Sequence, residues 1–229
     1  MEVIILKSIL SHGILSVNID CCKFYREGIG LQKIIVCLIE RQKADAKQQS
    51  EDGKHAAWLA LERWSGQNEK ELQKKGVSLQ KEPSGKPVFC GIKAYVSVSH
   101  TKGIAAAAVS DEPIGIDIEP ELRENLRVAK RMFAPSEQRW LQERQKQGKQ
   151  GGFAVVWTLR EAYAKWTGKG LAKMPQVCFA INEEQVLCSD ENCCAQTKRL
   201  TGKEKYRFSL VQSGKKQHET AIFWEKENF

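Results

Sequence analysis

The segment Gly115-Ile116-Asp117-Ile118-Glu119 constrains this chain more than any other. Its isoleucines alternate with carboxylates at the two-residue period of a β-strand, and Pro120 breaks the run. Two carboxylates two positions apart on a strand point to one face. That sets two hard oxygen ligands side by side at a strand end, the arrangement used by a magnesium ion that shares its coordination with substrate phosphates. A solvated acidic pair is the other reading of this pentapeptide taken alone.

The surrounding pattern is mixed. Val3–Leu6 reads as an edge strand, and 31–39 is apolar enough for a buried element of either type. The polar stretch 41–54 reads as a loop leading into a helix over about 55–64, with Trp58, Leu61 and Trp64 at core spacing. Pro83, Ser84, Gly85 and Pro87 mark a turn, followed by strands over 94–99, 104–109 and 114–118. Three helices are expected over 124–133, 135–147 and 153–167. Short strands follow over 177–181, 185–188, 206–211 and 220–224, with 189–202 as a polar connection. Helices grouped between two sets of strands give an α+β chain, as one domain or two similar lobes.

Composition narrows the partners by sign only. With 36 Lys and Arg against 28 Asp and Glu in 229 residues, the net charge of +8 favours acidic partners: nucleic acid, an anionic nucleotide or an acidic protein. The first ten residues lack a basic leader, and their apolar stretch is broken by Lys7 and Ser8. No apolar run reaches membrane-span length, so a cytoplasmic protein is expected. The eight cysteines (Cys21, Cys22, Cys37, Cys90, Cys178, Cys188, Cys193 and Cys194) follow neither a disulfide-framework nor a zinc spacing, which points to reduced thiols.

Three further motifs carry chemistry. On the helix expected over 153–167, Trp157, Glu161 and Lys165 stand four apart and share a face. That face offers a carboxylate as base or metal ligand and an ammonium for phosphate charge, or else an ordinary surface ion pair. Ser97-Val98-Ser99-His100-Thr101 ends a strand with a histidine among hydroxyls, suited to phosphate binding or proton transfer and equally to simple hydrogen bonding. Ser84-Gly85-Lys86-Pro87 is a basic turn.

Taken in order, the turn lysine, the Ser-His-Thr strand end, Gly-Ile-Asp-Ile-Glu, the helix Ala129–Glu137 and Trp157-Thr158-x-Arg160-Glu161-x-x-x-Lys165 resemble the 4'-phosphopantetheinyl transferases of the surfactin-synthetase-activating type. The resemblance runs from about Lys81 to Leu171. It implies two pseudo-symmetric α+β lobes, an N-terminal lobe over 1–110 and a C-terminal lobe over 111–229 carrying the metal site. Coenzyme A is then bound in the cleft between them. Carried over by motif, Asp117, Glu119 and Glu161 are the magnesium ligands, Ser99, His100 and Lys165 hold the pyrophosphate, and Lys86 and Pro87 border the adenosine. Where the family places a polar group for the 3'-phosphate, this chain has Lys54-His55-Ala56-Ala57, so Lys54 or His55 substitutes; Lys23, Arg26, Lys33 and Arg41 are candidates for a preceding basic segment. The implied reaction moves the phosphopantetheine arm of coenzyme A to a serine of an acidic acyl or peptidyl carrier protein, with magnesium and with Glu161, Lys165 and His100 as catalytic groups. A monomer that binds neither nucleic acid nor membrane is expected. A nucleic-acid module with tryptophans as stacking platforms is the rival reading, together with a catalytically idle relative that keeps the fold.

Overall fold

The architecture was analysed in a computed structural model that describes residues 2–6, 34–41, 43–171, 177–182, 185–202, 204–214 and 220–226. Lys7, Ser8, Cys21, Cys22, Lys23, Arg26 and Lys33 lie outside the described residues. Two sheets carry the fold. The first has the order β1 (Glu2–Leu6), β12 (Thr220–Lys226), β2 (Ile34–Glu40), β6 (Ile104–Ser110), β5 (Tyr95–Thr101). All of its neighbours are antiparallel except β12 and β2. Thr220–Lys226 therefore brings the end of the chain back into the sheet built from its first half. The second sheet is antiparallel and has the order β10 (Cys193–Thr201), β11 (Lys205–Ser213), β7 (Ile114–Pro120).

Alternation along each strand stacks these sheets. In β2 and β6, Ile34, Val36, Leu38, Ile104, Ala106 and Ala108 face the second sheet, where they meet Ile114, Ile116, Ile118, Tyr206, Phe208 and Leu210. The residues between them, Ile35, Cys37, Ala107 and Val109, face the helix α1 (Ala46–Ser65). Both strands are buried along their whole length, which explains their near-continuous apolar sequence. On the far side of the second sheet lies α5 (Gly152–Thr167), packed with α3 (Leu126–Met132), α4 (Pro135–Lys146) and the hairpin of β8 (Phe179–Asn182) and β9 (Gln185–Cys188). The layers run α1, first sheet, second sheet, α5. A short helix α2 (Glu69–Lys74) and the hairpin β3 (Ser78–Lys81) and β4 (Pro87–Cys90) complete the described elements.

Two segments differ from the sequence reading. The helix expected from about residue 55 begins at Ala46, where Asp45 accepts a hydrogen bond from the Gln48 amide at 2.7 Å. Its buried face is Asp52, Gly53, Ala56, Ala57, Ala60 and Leu61, small groups that let α1 approach the alanines of β6 but give little hydropathic signal. The polar connection over 189–202 is mostly strand β10. Its polar residues are satisfied inside the sheet: the buried Thr197 hydroxyl receives a hydrogen bond from Ser209 at 3.2 Å.

Helix α4 is fixed to α5 by one buried ion pair. Glu137, fully buried, accepts from Arg160 Nε at 2.8 Å and from the backbone amides of Ala134 and Phe179, so a single carboxylate ties α4, α5 and β8. Arg160 also donates to the Val177 carbonyl at 3.0 Å.

Gly115 sets how close α5 comes to β7. A Cβ there would fall on the Ala162 carbonyl oxygen and the Trp166 amide nitrogen, both backbone atoms of α5, far inside contact distance. Gly115→Ala is expected to push the helix off the strand and lower stability by about 3 kcal/mol, the upper end for overpacking. Urea denaturation checks this; an unchanged midpoint would contradict the packing described.

Candidate active site

Strands β5 and β7 border different sheets and meet through side chains. Ser97 Oγ accepts from the Ile116 amide at 3.0 Å, and Ser99 Oγ accepts from the Ile118 amide at 3.4 Å. These amides lie on the edge of β7 that has no backbone neighbour in its sheet, so the two hydroxyls take the place of a partner strand. Ser99 also donates to Asp117 Oδ1 at 2.6 Å, and Thr101 donates to Glu119 Oε2 at 3.0 Å. The alternation of β5 thus delivers three hydroxyls to one strand, two of them to its carboxylates.

Helix α5 and the turn after β7 supply the opposite charges. Lys165 Nζ lies 2.9 Å from Asp117 Oδ1, and Arg123, four residues beyond Glu119, pairs with its Oε1. Arg123 also lies over the Trp157 ring, 5.4 Å from its centroid. Asp117 Oδ2 is buried and has no hydrogen-bond partner. Glu161 sits one helical turn before Lys165, half-buried. Burial and the Asp117 charge push the carboxyls of both Glu119 and Glu161 above the ordinary range, so the three acids strain against one another. Among the described residues, no three His, Cys, Asp or Glu side chains converge closely enough to hold an ion as they stand. The donor chemistry nevertheless suits magnesium: hard carboxylate oxygens, mutual repulsion that a divalent cation offsets, and one buried oxygen without a partner.

Two adjoining cavities open beside this cluster. One, of about 270 Å³, lies between the Ser84–Pro87 turn, Val96, Val98 and the Glu161–Lys165 face of α5, and continues to Leu171. The other, of about 490 Å³, shares Gly85, Pro87 and Val98 with the first and is lined by Ser50, Lys54, Lys81 and His100. Of the residues singled out in the sequence, Lys86, Pro87, Glu161 and Lys165 line the first cavity, and Lys54, Pro87 and His100 the second. Ser99, Asp117 and Glu119 line neither cavity; they are buried, with Asp117 joined to the cavity-lining Lys165. His55 is exposed and lines neither cavity, while Arg41 is engaged with Asp52 at 3.1 Å. Partial burial, with the Lys165 and Lys81 charges, holds His100 below the usual histidine value, so its ring is neutral at pH 7.

Lys81 and Arg123 belong to this constellation and were not singled out in the sequence. Thr101, part of the Ser-His-Thr strand end but given no role of its own, stands two positions beyond Ser99 on the same face and reaches Glu119. Nothing local marks Lys81, whose position depends on the β3–β4 hairpin folding toward α1.

Residues 113–223 match the sequence model of the 4'-phosphopantetheinyl transferase superfamily, just under half of the chain. Over 114 residues the chain is 30% identical to the 4'-phosphopantetheinyl transferase gsp of Aneurinibacillus migulanus, covering 50% of this chain and 47% of that protein. It is 32% identical over 111 residues to a 4'-phosphopantetheinyl transferase of Bacillus subtilis, covering 48% and 49%. The 4'-phosphopantetheinyl transferase HetI of a Nostoc species is 32% identical over 140 residues, covering 52% and 59%. The chain thus spans about half the length of the curated relatives it matches.

The raised carboxyls make a signed expectation. A glutamate whose folded pKa lies above its unfolded value costs stability when ionised, and that cost disappears as pH falls through the folded pKa. Glu161→Gln is therefore expected to raise the melting temperature by a few degrees at pH 7, with the gain shrinking toward pH 4. A variant less stable than the parent at pH 7 would contradict the proposed repulsion.

Proposed function

We propose that this chain, which carries a 4'-phosphopantetheinyl transferase superfamily domain over residues 113–223, transfers the 4'-phosphopantetheine group of coenzyme A to a serine of an acyl or peptidyl carrier protein. The observation that carries the reading is the meeting of β7 and α5: Glu161 and Lys165 line one wall of a cleft whose other wall is the basic turn at Lys86, and Lys165 pairs with Asp117 of β7 behind it. In this reading the segments before and after about residue 110 supply the two walls of this cleft.

In this reading coenzyme A lies across both cavities. Lys54, Lys81 and His100 receive phosphate oxygens in the second cavity, and the neutral His100 ring donates a hydrogen bond to one of them. Lys86 and Pro87 border the adenosine, and Ser99 and Lys165 hold the pyrophosphate. Asp117, Glu119 and Glu161 hold magnesium, which when bound offsets the pyrophosphate charge.

The serine oxygen of the carrier attacks the β-phosphorus, and the bond from that phosphorus to the bridging oxygen breaks. Adenosine 3',5'-bisphosphate leaves with the electron pair of that bond. Glu161, on the cleft wall one helical turn before Lys165, is the group that accepts the serine proton in this reading. Lys165 stabilises the negative charge that builds on the transferring phosphoryl. The net charge of +8 draws an acidic carrier toward the cleft.

The rival reading as a nucleic-acid module required accessible tryptophan faces. All six tryptophans pack on the core clusters, Trp58 and Trp64 from α1, Trp140 from α4, Trp157 and Trp166 from α5, each partly buried, and Trp224 fully buried between the sheets. No helix among the described residues is long and apolar enough to cross a membrane.

Mass spectrometry of an apo carrier protein incubated with coenzyme A and magnesium tests the activity. The carrier is expected to gain one phosphopantetheine. Lys165→Ala is expected to keep its melting transition and slow single-turnover transfer by about 10²–10³-fold. No mass gain on fatty-acid, polyketide or peptide-synthesis carriers would overturn the assignment, and transfer by Lys165→Ala within a few-fold of the parent would remove that residue from the mechanism.

A further inference from the structure

On the side of α5 facing away from the cleft, two thiols flank a four-residue turn. Cys188 ends β9 and Cys193 begins β10, with Ser189-Asp190-Glu191-Asn192 between them. The turn is held in place. Asp190 Oδ2 accepts from the Tyr163 hydroxyl of α5 at 2.7 Å, its Oδ1 accepts from the Asn192 amide at 3.0 Å, and the Asn192 carbonyl accepts from Gly214 at 2.9 Å. The thiols are therefore fixed relative to one another by bonds that involve neither sulfur.

The two sulfurs are chemically unequal. Cys188 Sγ accepts from the Asp190 amide at 3.4 Å, while the Cys193 thiol lies against the Asp190 carbonyl at 3.6 Å, so one residue of the turn engages both sulfurs. The neighbouring Cys193 thiol and the Asp190 amide draw Cys188 below the ordinary thiol value, while the neighbouring Cys188 and burial push Cys193 up. Cys188 is thus the nucleophile and Cys193 the reserve thiol. A cavity of about 380 Å³, lined by Cys188, Asp190, Cys193 and Cys194, gives a small molecule access to the pair. Cys194 is turned to another partner, the Gly214 carbonyl at 3.2 Å.

We propose that Cys188 and Cys193 form a dithiol site that takes a low-molecular-weight disulfide of the glutathione class and is oxidised by it to an intramolecular disulfide. The Cys188 thiolate attacks one sulfur of the disulfide, forming a mixed disulfide and releasing one thiolate. Cys193 then gives up its proton and attacks Cys188 Sγ, so that the second small thiolate leaves. Two electrons pass from the protein thiols to the incoming disulfide, and two protons finish on the released thiols.

The test is to incubate the reduced full chain under native conditions with oxidised glutathione and to map the products by peptide mass. Cys90, exposed on β4, serves as the internal reference. The expected result is a Cys188–Cys193 crosslink, reversed by dithiothreitol, with Cys188 consumed about 10-fold faster than Cys90. Cys193→Ser should accumulate a glutathione adduct on Cys188, and Cys194→Ser should crosslink like the parent. Adducts spread evenly over Cys90, Cys178, Cys188 and Cys194, a crosslink to another cysteine, or Cys188 reacting no faster than Cys90 would overturn the proposal. The mapping of the parent chain decides the question even if a serine variant fails to fold.

Discussion

Three hydroxyls of β5 hold the candidate site together. β7 offers amides on an edge that its own sheet leaves open, and burying them unpaired would cost about 1–3 kcal/mol each. Ser97 and Ser99 satisfy two of these amides, and Ser99 and Thr101 also donate to the carboxylates beside them. The same contacts join the sheets and orient Asp117 and Glu119. Because the hydroxyls recur every second residue, they stay on the face of β5 opposite Val96 and Val98, which pack toward α1.

The remaining groups are positioned from α5, whose placement rests on two further constraints. Gly115 lets the helix backbone approach β7, and the Glu137–Arg160 pair fixes the helix against α4 and β8. These devices bring Glu161 and Lys165 beside two carboxylates already in place. The result is an electrostatically tense cluster, with burial and like charge raising two carboxyls, while Lys165 and Arg123 supply partial compensation. Such tension destabilises the fold and suits a site that binds a divalent cation and a pyrophosphate.

The strand carrying Asp117 and Glu119 was legible because its two-residue alternation is strict and Pro120 ends it. The helix from Phe153 was legible from the loop before it and the four-residue spacing of Trp157, Glu161 and Lys165. Strand β10 was not: Gln196, Thr197, Lys198 and Arg199 look like a solvated connection until Thr197 meets Ser209 across the ladder. The first turns of α1 were hidden for a related reason, since the residues they bury, Asp52 and Gly53, carry no hydropathic signal. Within the site, the sequence offered Ser99 and His100 as a strand-end motif but gave no sign that Ser97 would substitute for a missing strand. Lys81 depended on a hairpin whose direction local spacing does not determine.

Asp117 and its neighbours, in the proposed function, form one nucleotide site with the basic cleft. Calorimetric titration of adenosine 3',5'-bisphosphate plus magnesium, against nucleotide alone, measures this directly. The account predicts that magnesium tightens binding at least about 10-fold, equivalent to about 1.4 kcal/mol, and that Asp117→Asn, which retains an acceptor for Ser99, loses that gain. Equal affinity with and without magnesium in the parent chain, or an undiminished gain in Asp117→Asn, would contradict it.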